Sequence, residues 1–166
     1  MPVHSIHIFD RKGKTLFTKR FTKAEASENV DPEFLAEQRK LVFGMLFSLR
    51  EVASSLSPNS NDENNNSNQG GLHSVRTGAS TLYNYETNSG LRFALYCANP
   101  STTDGDNTAA TTPDSSVRAA LEYVYNELWI HCVTRSPLYR PTQPNVDETN
   151  FEVKLTSFLR AQPWFR

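Results

Sequence analysis

The chain has 166 residues, of which 37% are hydrophobic and 21% charged, with a net charge of −1 and a sequence pI of about 6.4. This length suits one domain spanning residues 1–166, and the charge balance argues against a nucleic-acid-binding protein, which usually carries a clustered basic face. The sequence has neither a signal peptide nor an apolar run of about 18 residues, so we expect a soluble intracellular protein.

The chain opens with two predicted strands joined by a turn. Residues 3–9 and 15–21 are rich in β-branched and apolar residues, and the DRKGK between them offers Gly13 for a positive φ. His4 and His7 lie on the first strand, three residues apart. That spacing places them on opposite faces, so they are not expected to share a metal ion.

A long helix is predicted over residues 32–56, with Asp31 as its N-cap and Pro32 as its first residue. On a helical wheel, one wide apolar arc is expected to cover the sheet. The predicted arc contains Leu35, Leu41, Val42, Met45, Leu46, Leu49, Val52, Ala53 and Leu56.

The opposite side of this helix predicts an interaction surface. Phe43 and Phe47 are four residues apart and therefore lie side by side, with charged residues around them. Apolar anchors inside a polar rim are typical of protein–protein interfaces, and Gly44 would let another backbone approach. The predicted interface is Arg39, Phe43, Gly44, Phe47 and Arg50. The alternative is that the two rings are covered by a loop or helix of this chain.

Two polar stretches interrupt the rest of the sequence. Residues 57–71 and about 99–116 are rich in Asn, Ser, Thr and Asp, and both predict low-complexity loops that cannot build a core. Between them, three strands are predicted at 72–76, 80–87 and 91–98.

A second helix is predicted over residues 115–135, capped by Asp114, and a third over about 147–161. The expected core stripe of the second helix contains Val117, Leu121, Val124, Leu128 and Cys132. Apolar residues away from this stripe predict a possible second interface, formed by Tyr123, Trp129 and Ile130. Cys97 and Cys132 are expected to be buried and reduced.

The resulting order, β-β-α-β-β-β-α-α, predicts an α+β fold with a five-stranded antiparallel sheet and helices packed on it. No glycine-rich phosphate loop and no CxxC, HExxH or GxSxG motif occurs. We therefore predict no catalytic residues, no metal ligands and no cofactor, and expect a protein that is not an enzyme by itself.

Four stretches resemble a known family: IHIFDRKGKTLF, FGMLFSLR, LYNYETNSGLRFAL and VRAALEYVYNELWIHCVTRSPL. Together they look like the small longin-fold core subunit of the transport protein particle, TRAPP, of the "Bet-five" type. The stretch FGMLFSLR is the most specific of the four. The loops at 57–71 and 99–116 are longer than is typical of the family.

The resemblance implies a longin/profilin-like fold and a non-catalytic core subunit. The complex would be a multisubunit tethering factor and guanine nucleotide exchange factor for a Rab1/Ypt-type GTPase in ER-to-Golgi and Golgi vesicle transport. Implied partners are synbindin-type and Bet-three-type subunits. The implied location is cytoplasmic and peripheral at Golgi and ER-to-Golgi membranes, with membrane association only through the complex. The outer side of the first helix would then contact a partner subunit or the Rab.

Two alternatives remain open. The first is a longin-type adaptor, or another small chain of a trafficking complex, which would keep the fold and act as a protein-interaction module. The SNARE version of this alternative is not favoured, because a longin SNARE would need a heptad segment and usually a membrane anchor after the domain, whereas this chain ends at Arg166. A profilin-like ligand-binding or enzymatic domain would require a pocket with convergent polar groups, and no such pattern is visible in the sequence.

Overall fold

The computed structural model describes residues 2–21, 32–56, 72–99, 114–137, 139–140, 146 and 150–165. The predicted N-cap Asp31, the polar loop at 57–71 and residues 100–113 of the second polar loop lie outside the described residues.

The elements follow the predicted order, and most bounds agree with the prediction to within one or two residues. The strands are β1 (Val3–Phe9), β2 (Thr15–Arg20), β3 (Ser74–Arg76), β4 (Ser80–Glu86) and β5 (Arg92–Ala98). The helices are α1 (Pro32–Leu56), α2 (Asp114–Tyr123), which continues as a π-helical segment (Val124–Thr134), and α3 (Phe151–Arg160). In the described part of the chain, no helix is both long enough and apolar enough to cross a membrane.

The five strands form one antiparallel sheet in the order β2-β1-β5-β4-β3. On β5, Arg92 pairs with Phe9 of β1 on one side and with Glu86 of β4 on the other. Because Phe9 is the last residue of β1, Glu86 the last of β4 and Arg92 the first of β5, the β1–β2 and β4–β5 turns meet at the same end of the sheet. The sheet and its helices form the predicted α+β, longin-like arrangement.

The first face of the sheet packs against α2, the π-helical segment and α3, and carries the larger core. The ring of Trp129 lies at its centre, edge-on to Phe93 of β5 at 6.0 Å between centroids and to Phe151 of α3 at 5.3 Å. The core also contains Ile6, Ile8, Leu95, Cys97, Val117, Leu121, Val124, Cys132, Leu155 and Leu159. The prediction that both cysteines are buried is confirmed.

The second helix departs from the predicted α-helical register at Val124. Beyond this residue the chain is π-helical, so its hydrogen bonds join residues five apart, as when the amide of Arg135 donates to the carbonyl of Ile130. The wider turn brings Trp129, five residues after Val124, onto the inner side, where it is 1% exposed. The prediction that Trp129 lies away from the core is therefore wrong, and Val133 is buried on the same inner side.

The third helix begins later than predicted, at Phe151. Asn150, just before it, has a φ of 55° and so is not helical, while 147–149 lie outside the described residues. Phe151, Leu155 and Leu159, at helical spacing, are buried in the larger core.

The conformation of the β1–β2 turn depends on the side chain of Asp10 and on the positive φ of Gly13. The Asp10 Oδ1 atom accepts the backbone N–H groups of Lys12 and Lys14, each at 2.8 Å. Gly13 has the predicted positive φ, 84°. A Cβ atom at Gly13 would lie only 2.7 Å from Cε1 of Phe43, so the turn also accommodates a ring from α1.

We expect Gly13→Ala to lower the free energy of unfolding by about 1–3 kcal/mol, because a left-handed residue is strained and the Phe43 ring must move. Gly44→Ala is the matched control, since a Cβ at Gly44 in α1 meets nothing within 4 Å. That change should raise stability by up to about 1 kcal/mol through helix propensity. Urea unfolding of both variants measures the difference, and equal stabilities would contradict this assignment.

Candidate functional site

Helix α1 covers the second face of the sheet through only part of its apolar surface. Leu46 is 1% exposed and packs against Phe9, Leu82 and Ala94. Val42 and Phe43 are partly buried beside it. This side of the helix is therefore the one that anchors it to the sheet.

One edge of the predicted core arc of α1 contacts the sheet as expected, but the other edge is exposed to solvent. Leu46 and Val42 face the sheet, but Leu41 is 70% exposed and Leu56 is 77% exposed. Met45 and Val52, also in the predicted arc, are exposed as well. The apolar arc is wider than the strip that a flat sheet can contact, and a helical wheel does not show which edge of the arc makes that contact.

The predicted outward orientation of Phe43 is also wrong. Its ring lies edge-on to Phe9 of β1, with 5.6 Å between centroids, and closes over Gly13. Phe47 stacks on Phe43 at 6.4 Å and remains 47% exposed, so this ring lies at the border between the sheet and solvent.

A buried cation explains why two Phe residues lie on this side of the helix. The Arg92 guanidinium is 5.0 Å from the ring centroid of Phe43 and 5.5 Å from that of Phe47. Such cation–π contacts are favourable where the cation is desolvated. Arg92 also pairs with Glu86 at 3.5 Å, and the other oxygen of Glu86 is 3.2 Å from Nε of Arg50. Arg50, a predicted interface residue, is therefore engaged within the chain.

The charge of Arg39, another predicted interface residue, contributes to a lowered pKa of a histidine of the sheet. Burial, with further contributions from Arg39 and Arg20, lowers the pKa of His7 to about 4. The ring nitrogens of His7 lie within hydrogen-bond distance of the hydroxyls of Ser5 and Thr18. The imidazole is therefore neutral under α1 at ordinary pH.

The depressed pKa of His7 predicts that stability falls as pH drops from about 6.5 toward 4, since the unfolded chain binds the proton more tightly. At pH 5 the loss should be about 2 kcal/mol relative to pH 7. Urea unfolding at the two pH values measures it. We expect His7→Asn to reduce this pH dependence, and an unchanged dependence in the variant would contradict the assignment.

The outer side of α1 carries a line of exposed apolar side chains, here called the α1 stripe. Its members are Phe34, Leu41, Met45, Val52 and Leu56. They are separated by seven, four, seven and four residues, which keeps them on one side of an α-helix. Gly44, from the predicted interface, is exposed beside the stripe. An exposed apolar line of this kind is typical of a surface that binds another protein.

Two of the three residues of the predicted second interface are buried or partly buried in the folded chain. Trp129 belongs to the core, and Ile130 is partly buried. Tyr123 is exposed, but its ring stacks on Phe158 of α3 at 4.5 Å between centroids. Of the three predicted residues, only Tyr123 presents a large exposed surface.

The match to known proteins extends over nearly the whole chain. A family model described as the Sybindin-like family matches residues 3–162. "Trafficking protein particle complex subunit 1" of Homo sapiens is 28% identical, over 99% of this chain and 97% of the relative. The protein of the same name in Dictyostelium discoideum is 26% identical, over 98% of each chain. "Trafficking protein particle complex subunit BET5" of Saccharomyces cerevisiae is 29% identical, over 83% of this chain and 76% of the relative.

Proposed function

This chain belongs to the Sybindin-like family, and we propose that it serves as a small core subunit of a TRAPP complex that promotes guanine nucleotide exchange on a Rab1/Ypt-type GTPase. The observation that carries the proposal is the near full-length match to subunits of trafficking protein particle complexes. A core subunit of such a complex functions in vesicle trafficking, and the longin-like fold agrees with this role.

The proposed contribution to exchange is a binding surface and needs no catalytic residue in this chain. An exchange factor works by preferring the nucleotide-free GTPase, which lowers the affinity of the GTPase for its nucleotide. A subunit that holds the complex in the right shape contributes to that preference without transferring a proton. Synbindin-type and Bet-three-type subunits are the proposed partners.

The α1 stripe is the proposed contact with the synbindin-type partner. Leu41 and Met45 lie near its middle, and both are exposed. Burying two such side chains in a partner would stabilise the complex by about 3–6 kcal/mol before the cost of association. Gly44 stays in this proposed interface because it lies beside the stripe, and Phe47 stays because its ring is half exposed. Phe43, Arg39 and Arg50 would act indirectly, by holding α1 on the sheet.

We further propose that the complex acts on the cytoplasmic side of ER-to-Golgi and Golgi membranes. The chain would reach the membrane through the assembled complex. Cell fractionation tests this part, since loss of the partner subunits should release the chain from the membrane fraction.

Reconstitution tests the proposal as a whole. Co-expression with a synbindin-type subunit should give a one-to-one heterodimer by light scattering, and adding a Bet-three-type subunit should accelerate nucleotide release from a Rab1/Ypt-type GTPase. A chain that never associates with either subunit would contradict the assembly role. Assembly without any effect of this chain on nucleotide release would contradict the exchange role.

A further inference from the structure

A polar cleft opens at the end of the sheet where the two hairpin turns meet. Its volume is about 650 Å³, within the range of small-ligand sites. The β4–β5 turn at 87–90 forms one wall, and Phe47, Arg50 and Ser54 of α1 form another. Arg11 of the β1–β2 turn, Leu72 and His73 before β3, and Arg118 of α2 complete the lining. At least five different parts of the fold therefore contribute to one cleft.

The lining of this cleft is strongly cationic. Arg11, Arg50, Arg92 and Arg118 all line it, whereas Glu86 is the only carboxylate among the described residues that do. Glu86 is already shared between Arg50 and Arg92. Among the lining residues, one carboxylate therefore accompanies four guanidinium groups. We call this feature the arginine cleft.

Arg92 is a buried charge with incomplete pairing. It is 4% exposed, and its Nη1 atom has no hydrogen-bond partner in the described part of the chain. Its ion pair with Glu86, at 3.5 Å, is longer than a strong charge-assisted hydrogen bond. Buried charges are normally paired and hydrogen-bonded. The positive field of Arg92 is therefore available to stabilise an anion in the adjoining cleft.

The fold brings Arg11 to the cleft through its backbone and gives Arg118 a hydrogen-bonding neighbour. Gly90, with a φ of 83°, lets the two turns touch, because a Cβ there would lie 2.8 Å from Cβ of Arg11. Nη1 of Arg118 lies 3.2 Å from Nε2 of His73, and burial together with Arg118 lowers the pKa of that histidine. A neutral His73 can accept a hydrogen bond from Arg118. Side chains positioned in advance lose less entropy when a ligand binds.

We propose that the arginine cleft binds a phosphate group carried by a small phosphate ester or by a lipid headgroup. Guanidinium groups present planar pairs of donors that match phosphate oxygens. The volume of the cleft accommodates one compact anion, and Arg11, Arg50 and Arg92 together exceed the charge of Glu86 by two, which matches a dianion. This proposal does not depend on assembly with other subunits.

Calorimetric titration of the full chain with pyrophosphate tests the cleft. Wild type should bind one equivalent, with affinity that falls as salt is added. The double variant Arg11→Gln plus Arg50→Gln should bind at least about tenfold more weakly. Arg160→Gln is the matched control, since Arg160 is an exposed arginine of α3 outside the cleft. Pyrophosphate should also shift the imidazole NMR signals of His73.

Arg11→Gln alone provides a second variant in case the loss of the Arg50–Glu86 pair unfolds the double variant.

Flotation with vesicles containing a phosphoinositide distinguishes the two sources of the phosphate group, a lipid headgroup and a soluble ester. Binding to vesicles that the variants lose assigns a lipid headgroup, and binding of pyrophosphate without flotation assigns a soluble ester. Absence of saturable binding to either probe, or equal binding by the Arg11 variant, would overturn the proposal. Binding of an oligoglutamate peptide alone would also overturn it, in favour of a protein ligand.

Discussion

Replacing Leu41 and Met45 together by Asp is expected to abolish co-purification with a synbindin-type subunit while the chain itself stays folded. Both side chains are exposed in the α1 stripe, so the charges are solvated in the free chain. In the complex the same carboxylates would be buried in an apolar contact without partners. We expect the dissociation constant to rise by more than about a hundredfold.

Two comparisons make this experiment specific. Val153→Asp, which places one such charge at an exposed apolar residue of α3, should leave the complex intact. Phe43→Asp should instead destabilise the chain, because its ring packs on Phe9 and Arg92. Circular dichroism separates the two effects. A stripe variant that remains folded and still forms the heterodimer would contradict the proposed interface.

Replacing Trp129 by Ala is expected to lower the free energy of unfolding by about 3–5 kcal/mol, among the largest effects of any single change in this chain. Trp129 is fully buried and contacts Phe93 and Phe151 edge-on, so its removal leaves a cavity between the sheet and α3. Urea unfolding at neutral pH measures the loss.

Tyr123→Ala is the matched comparison for Trp129→Ala, since both aromatic residues lie in the same helical stretch and both belong to the predicted second interface. Tyr123 is exposed and makes one stacking contact with Phe158, so its loss should lower stability by only about 1 kcal/mol. Similar values for the two variants would contradict the π-helical register that turns Trp129 inward.

Much of the fold is predictable because its signals are local. The bounds of β1 and α1 agree with their sequence patterns, and Gly13 has the predicted positive φ. Each of these depends on residues that are neighbours in sequence: β-branched alternation, a proline at a helix start, a glycine in a turn. The family resemblance was also visible from short stretches of sequence.

The site was only partly predictable, since it depends on contacts between distant elements. The sequence shows that α1 has more apolar surface than one sheet needs, but the helix faces the sheet through Phe43 and one edge of the predicted arc rather than through the whole arc. Phe43 lies toward the sheet and Phe47 at its border, where Arg92 of β5 places a cation against both rings. The arginine cleft was missed entirely, since its four arginines lie far apart in sequence.

By itself, the sequence determined the order of the elements, the family and the presence of surplus apolar residues on α1, because periodicity and turn chemistry are properties of short segments. Only the tertiary structure decided which side of α1 faces the sheet, that a π-helical turn buries Trp129, and that Arg11, Arg50, Arg92 and Arg118 meet at one cleft. The physical reason is that helix rotation and charge clustering are set by packing between elements. A helical wheel contains no information about that packing.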